Sequence, residues 1–345
     1  MGEVADFPKG LIMIINIFTI ISLFVAAVSL FLGIFQAGVS LYLYQKWKSI
    51  KTGEEKTKLE DFAYLVLLIA GVILMVRLLS WPLFYATLNS YVPEVQGAMC
   101  VAGVMQIQAG TARLLQAIKP VVFFAVGGWL LLNMLDRSTK TGPLMERKFL
   151  LLSLVSLLVI GDSLGEMAFI LKAKTTSSVA CCTTIFDIPT RSSAVIPKSI
   201  FGEGYGGMMI PVYYASNAVV IGFIGILLWS GSSGLVALSA AFLLSLLSVP
   251  VTGVCALEKI APILMKLPYH HCLYCFPRNV PDGAVILALF VLGTFSTGWA
   301  LMLKVLGRSS ETEETLNKYI KNLLWLAFVG LLSSVVMVSV HLVAG

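Results

Sequence analysis

Long apolar runs, each closed by a short polar break, recur along the whole chain. A helix needs about 20 apolar residues to cross a bilayer core roughly 30 Å thick. Runs of that kind lie at 11–34, 62–88, 119–135, 149–171, 209–230, 234–256, 284–306 and 322–343. They predict an all-α, polytopic integral membrane protein of about eight transmembrane helices, with residues 1–345 forming a single helical membrane domain. The stretch 35–45, FQAGVSLYLYQ, either prolongs the first helix or lies in the interface with Tyr42 and Tyr44 as anchors.

Composition agrees with this pattern, because 58% of the residues are hydrophobic and only 12% charged, where a soluble domain carries about 25% charged residues. Lys and Arg then set an orientation. One set of alternate links holds Lys46, Lys48, Lys51, Lys56 and Lys58, then Arg137, Lys140, Arg147 and Lys148, then Lys304, Arg308, Lys318 and Lys321. The other set is about twice as long and less densely basic, so the first is read as cytoplasmic. Both termini, and all Cys and His residues, then fall on the extracytoplasmic side, and an inner membrane of bacterial or archaeal type is the expected location. The net charge of +6 reflects this bias, and it gives no argument for nucleic-acid binding. The N-terminus lacks the basic region and cleavage site of a signal peptide, and it lacks the Ser or Thr at position 6 of a myristoylation motif, so a retained first helix is expected.

Three longer segments, 89–118, 172–208 and 257–283, share the outer side and carry the residues of chemical interest. The first holds Met99, Cys100 and Met105, and is apolar enough to lie against or dip into the membrane, which is tolerated only where protein or a water-filled cavity covers its backbone. The second holds Cys181, Cys182, Asp187 and Arg191, then the glycine-rich FGEGYGGMMIP, which matches no phosphate-loop spacing. The third reads Tyr269-His270-His271-Cys272-Leu273-Tyr274-Cys275-Phe276-Pro277-Arg278.

The Cys272-x-x-Cys275 pair is the strongest single signal. Two cysteines at this spacing close a small ring or offer two thiolates to one metal, and His270, His271 and Arg278 supply cations that favour thiolate. The histidines precede the pair, which excludes a c-type haem attachment site. Over about seven residues, CLYCFPR resembles the CxxC segment of the quinone-linked disulfide-generating membrane oxidoreductases, the DsbB and vitamin K epoxide reductase group. That resemblance implies a quinone as electron carrier, Arg278 as its contact one residue closer to the pair than in the group, and an exported thiol protein as partner. It also implies a second cysteine pair as relay, for which Cys181 with Cys182, or Cys100, are the candidates. Adjacent cysteines depart from the group's pattern, and eight spans depart from its four-helix core.

Other readings stay open. Six cysteines in an oxidising compartment also form structural disulfides, with 15 pairings available. Cys with His and Met is a soft donor set that suits copper as Cu(I), with His270, His271, Cys272, Cys275 and Met99 as ligands. Two adjacent histidines and a CxxC on one turn do not readily converge. Within the bilayer, ionisable residues mark functional positions by default. Arg77 and Asp162 reach similar depth, and Glu166 sits one turn beyond Asp162 on the same face, so an Arg77 pair with one acid would leave the other for protons or a cation. His341 near the end of the last span is a weaker haem candidate.

Three functions follow as expectations: a thiol–disulfide oxidoreductase passing electrons between an exported thiol partner and a membrane carrier such as quinone; a Cu(I)-type binding or transport protein; and a non-catalytic membrane subunit whose disulfide-braced outer loops dock an exported partner. The orientation itself is testable. After reduction, a membrane-impermeant thiol reagent applied from outside intact cells should modify Cys272 and Cys275, and no cysteine should react only from the cytoplasm. Cytoplasmic labelling of Cys272 would reverse the assigned topology.

Overall fold

The structure is a computed structural model that describes residues 14–49, 53–139, 141–174, 178–180 and 186–344. Among these it is predominantly helical, with an isolated backbone bridge from Gln96 to Ser178 and no strand. The helices are α1 (Ile17–Ser49), α2 (Glu54–Ser90), α3 (Val101–Met105), α4 (Ala109–Arg137), α5 (Met145–Lys172) and α6 (Ser192–Phe201). They continue with α7 (Met209–Ser230), α8 (Leu235–Cys255), α9 (Ala261–Leu264), α10 (Phe276–Asn279), α11 (Gly283–Leu306) and α12 (Glu313–Ala344). Eight helical stretches among the described residues are long and apolar enough to cross a membrane, so the protein is an all-α integral membrane protein.

Several boundaries move for identifiable reasons. The first helix starts at Ile17 because Asn16 Oδ1 accepts the Thr19 N–H at 3.0 Å, an N-cap. It then runs unbroken to Ser49, so the 35–45 stretch prolongs the helix. The third span is longer than its apolar run, since α4 begins at Ala109 and carries Arg113, Lys119 and Pro120 inside the helix.

By its internal contacts the chain groups into two compact units, residues 1–134 with 142–181, and residues 135–141 with 182–345. In the first unit, α1 packs along α5 and α2. Its buried face is Thr19, Ser22, Ala26, Ser29, Gly33, Gln36, Ser40 and Leu43, spaced three and four apart. Its bulky residues, among them Ile17, Phe24, Phe31 and Ile34, point outward. This inverts the soluble pattern: in lipid the apolar side chains gain nothing by turning inward, and small residues let backbones approach closely. At Gly33 a Cβ would stand 3.2 Å from Ile160, so a larger residue there would push α1 off α5. Ser22 and Thr87 hydroxyls meet at 2.7 Å and Thr19 donates to Tyr91 at 2.9 Å, joining α1 to the end of α2. A core of Leu74, Val126, Trp129 and Phe149 fills the rest of the unit.

In the second unit α11 packs on α12, α7 on α8 and α12, and α8 on α11. The α11–α12 crossing is set by Gly293 and Gly330, where a Cβ on Gly293 would lie 2.8 Å from Leu331 and one on Gly330 3.0 Å from the Leu289 carbonyl. Buried hydroxyls return to carbonyls of their own helix, Thr294 to Phe290 at 2.9 Å and Ser296 to Leu292 at 2.7 Å, which satisfies them without a partner in lipid. Between helices, Asn217 donates to Thr252 at 3.1 Å and Ser334 to the Ile286 carbonyl at 3.1 Å.

Candidate functional site

Each unit holds a cluster of buried charged residues among those described. In the first, Arg77 from α2, Lys119 from α4, and Asp162 and Glu166 from α5 meet with no more than 2% exposure apiece. The expected pairing is present: Arg77 Nη2 donates to Asp162 Oδ2, and to Glu166 Oε2 at 3.2 Å. The sequence reading left the second acid available for a proton or cation, but Lys119 takes up that role. Its ammonium lies 2.8 Å from Glu166 Oε2 and 3.2 Å from Asp162 Oδ1, and 4.6 Å from the Phe84 ring centroid. Two cations and two carboxylates thus close a neutral ring in which each acid touches both bases.

The sequence does not single out Lys119, because residues 109–118 are too polar to enter an apolar window. The helix nevertheless starts at Ala109, which carries Lys119 about 15 Å along it. Arg77 Nε and Nη1 and Glu166 Oε1 have no protein hydrogen-bond partner among the described residues, so the ring retains donor and acceptor capacity.

In the second unit the centre is built on the end of α8. There the helix widens into a π turn at Ala256–Ile260, and Glu258 in that turn is buried; π turns insert one extra residue and re-aim side chains. Glu258 grips Arg191 through two parallel bonds, Nε to Oε1 at 3.0 Å and Nη2 to Oε2 at 2.6 Å. This fork geometry is the strong form of a carboxylate pair. Tyr205 donates to Glu258 Oε2 at 2.7 Å and accepts from Arg191 Nη2 at 3.0 Å. Burial, reinforced by Glu258, pushes the Tyr205 hydroxyl up to about 12, and the bonds to Glu258 raise the Arg191 guanidinium above its ordinary value.

The chain that carries the cysteines is tied beside this network. Asp187 Oδ1 accepts the His271 backbone N–H at 3.1 Å, and its Oδ2 meets His270 Nδ1 at 2.9 Å. His271 Nδ1 faces the Tyr269 carbonyl at 3.0 Å, which makes Nδ1 the protonated nitrogen and leaves the lone pair on Nε2. Burial, and then the charge of Arg191, hold the His271 pKa below its ordinary value, so the imidazole is neutral at pH 7.

Cys272 follows, fully buried, and Cys275 is 8% exposed. The Cys275 N–H donates to the Cys272 carbonyl at 3.2 Å, closing a turn over the motif. Such a turn brings its end Cα atoms within about 7 Å, matching the roughly 4.4–6.8 Å that a disulfide spans. Asn279 Nδ2 donates to the Cys275 carbonyl at 2.9 Å and fixes the turn against α10, where Arg278 is exposed.

Cys100 is buried at the start of α3 in the first unit, and Met99 beside it is 64% exposed. Cys181 and Cys182 lie outside the described residues. Among the described residues, His270 and His271 do not gather with Cys272 and Cys275 into a common ligand set. Each ring presents Nδ1 to an acceptor of its own. His341 Nε2 meets Asp282 Oδ1 at 2.6 Å, so that nitrogen is committed to a hydrogen bond between α12 and the turn before α11.

Glu258, Arg191 and Tyr205 were not recognised as a unit from sequence. Glu258 closes an apolar run that looks finished at residue 256, and only the π turn draws it inward. No family model, no curated protein and no solved structure matches this chain.

The four-charge ring makes a sharp prediction. Arg77→Met leaves a net negative charge at membrane depth, and breaking a buried pair costs about 3–5 kcal/mol. The thermal stability of the detergent-solubilised protein should fall accordingly, and the neutral double variant Arg77→Met with Asp162→Asn should recover part of the loss. Single variants as stable as the parent would show that the ring carries no net interaction.

Proposed function

We propose that this protein is a membrane thiol–disulfide oxidoreductase whose reactive pair is Cys272 and Cys275. The observation that carries the reading is the turn that holds the two cysteines. It sets their backbones at disulfide range and anchors them to α10 and to the Asp187–His271 lattice. A pair so mounted passes between dithiol and disulfide with little backbone movement. Neutral His271, next in sequence to Cys272, provides a base for a thiol proton, and exposed Arg278 provides the contact for an electron carrier of the quinone class.

In the reaction proposed, the two thiols lose two electrons and two protons as the S–S bond forms, and the carrier takes both to become a quinol. A thiolate of the exported partner then attacks Cys272 Sγ, with Cys275 leaving as thiolate. The second partner thiol attacks the mixed disulfide, so the partner leaves oxidised and the pair returns to dithiol. Cys100, or Cys181 with Cys182, would relay between partner and pair. The motif faces outside, on the side opposite the denser Lys and Arg clusters.

The test is a thiol-state map by alkylation and mass spectrometry on anaerobically purified protein, with metal analysis on the same sample. Adding a quinone should convert Cys272 and Cys275 together to the disulfide, and Cys275→Ser should trap a mixed disulfide through Cys272. Arg278→Ala should weaken the response to quinone and leave thiol exchange with the partner intact. A pair oxidised under every condition identifies a structural brace, and one protected only while copper is bound identifies the metal-binding function instead.

A further inference from the structure

Ahead of α7 the second unit carries α6, a helix that the thiol chemistry does not use. One carboxylate fixes both of its ends. Arg191, just before the first turn, grips Glu258, and Tyr205, just past the last, donates to the same group at 2.7 Å. Glu258 lies near the end of the membrane-length stretch Leu235–Leu264, and residues 202–208 alone separate α6 from Met209, where the stretch Met209–Ser230 begins. The helix is thus held level with the neighbouring ends of two spans.

A helix turns about 100° per residue, which sorts the side chains of α6 into three sectors. Ala194 and Pro197 are buried and face the protein. To one side of them lie Ile196 and Ile200, one turn apart and 62% and 66% exposed. Roughly 180° round from that apolar edge stands Lys198, which reaches Glu203 at 2.8 Å. Exposed Ser192 and Ser199 lie between the lysine and the isoleucines, with Val195 the single apolar side chain among them; a lone exposed Val is ordinary on a wet surface.

We propose that α6 is an interfacial helix whose Ile196–Ile200 edge is seated in lipid at the headgroup–acyl boundary. Protein, lipid and water each claim one sector, the arrangement of a helix lying in the membrane plane beside a bundle. Amphipathic helices of this kind seat their apolar side about 5–10 Å into that boundary, and the long stem of Lys198 lets its ammonium stay in water from the same depth. Lipid fits better than a protein partner, because the edge is two side chains wide, whereas a stable protein interface buries roughly 800 Å² on each side. Asp187, which holds the His271 backbone, precedes Arg191 by one helical turn's worth of chain, so the same mooring sets the height of the strand that carries Cys272.

Electron paramagnetic resonance on the full chain in phosphatidylcholine vesicles tests the surface. Nitroxide amino acids are encoded one at a time at positions 196, 200, 198 and 203, which leaves the six cysteines untouched. Collisions with dissolved oxygen, which concentrates in acyl chains, are compared with collisions with a water-soluble nickel chelate. Oxygen should dominate at 196 and 200, and the order should invert at 198 and 203. Chelate access at 196 and 200 equal to that at 198 and 203 would place the edge in water, and protection of 196 and 200 from both reagents would place a protein on it; either result overturns the proposal.

Discussion

Hydrocarbon offers no hydrogen-bond partner, and this constraint governs how the chain places its polar groups. The first unit meets it with opposite charges: Arg77, Lys119, Asp162 and Glu166 close a neutral ring that no lipid could stabilise singly. Because the ring draws one residue from α2, one from α4 and two from α5, it fixes the register of three helices at once. Apolar packing could not do this as well, since a lipid-facing Leu and a protein-facing Leu have nearly equal free energy. The second unit answers the same constraint at the π turn, where Glu258 is drawn inward only because Arg191 and Tyr205 are there to meet it.

The same physics explains the inverted surface. On α1 the Thr, Ser, Ala, Gly and Gln positions are buried while Ile and Phe are exposed. Helix association here rests on close approach and on short interhelical hydrogen bonds such as Ser22 to Thr87.

The eight spans were legible in the sequence because a membrane crossing is a property of the local window, and the Arg77–Asp162 contact was legible because depth follows from rise per residue. Lys119 was not, since its helix begins ten residues earlier than any apolar window allows. The Glu258 network was hidden for a different reason: a π turn leaves no periodicity signal, and Arg191 lies 67 positions away. The CxxC motif was visible as a string of residues, but the turn, the tether of His271 to Asp187 and the separate hydrogen bonds of the two histidines depend on tertiary placement.

In the proposed function, those tertiary bonds hold the thiol pair in one geometry through its reaction. Under the proposed oxidoreductase function, the turn would accommodate both the dithiol and the disulfide and favour neither strongly, so the pair's reduction potential would lie near that of its exchange partners. The equilibrium potential of Cys272–Cys275, measured by alkylation in defined thiol buffers, tests this directly. The account predicts a value above about −300 mV, in the range of exchanging disulfides. A pair that stays oxidised well below that value would contradict it.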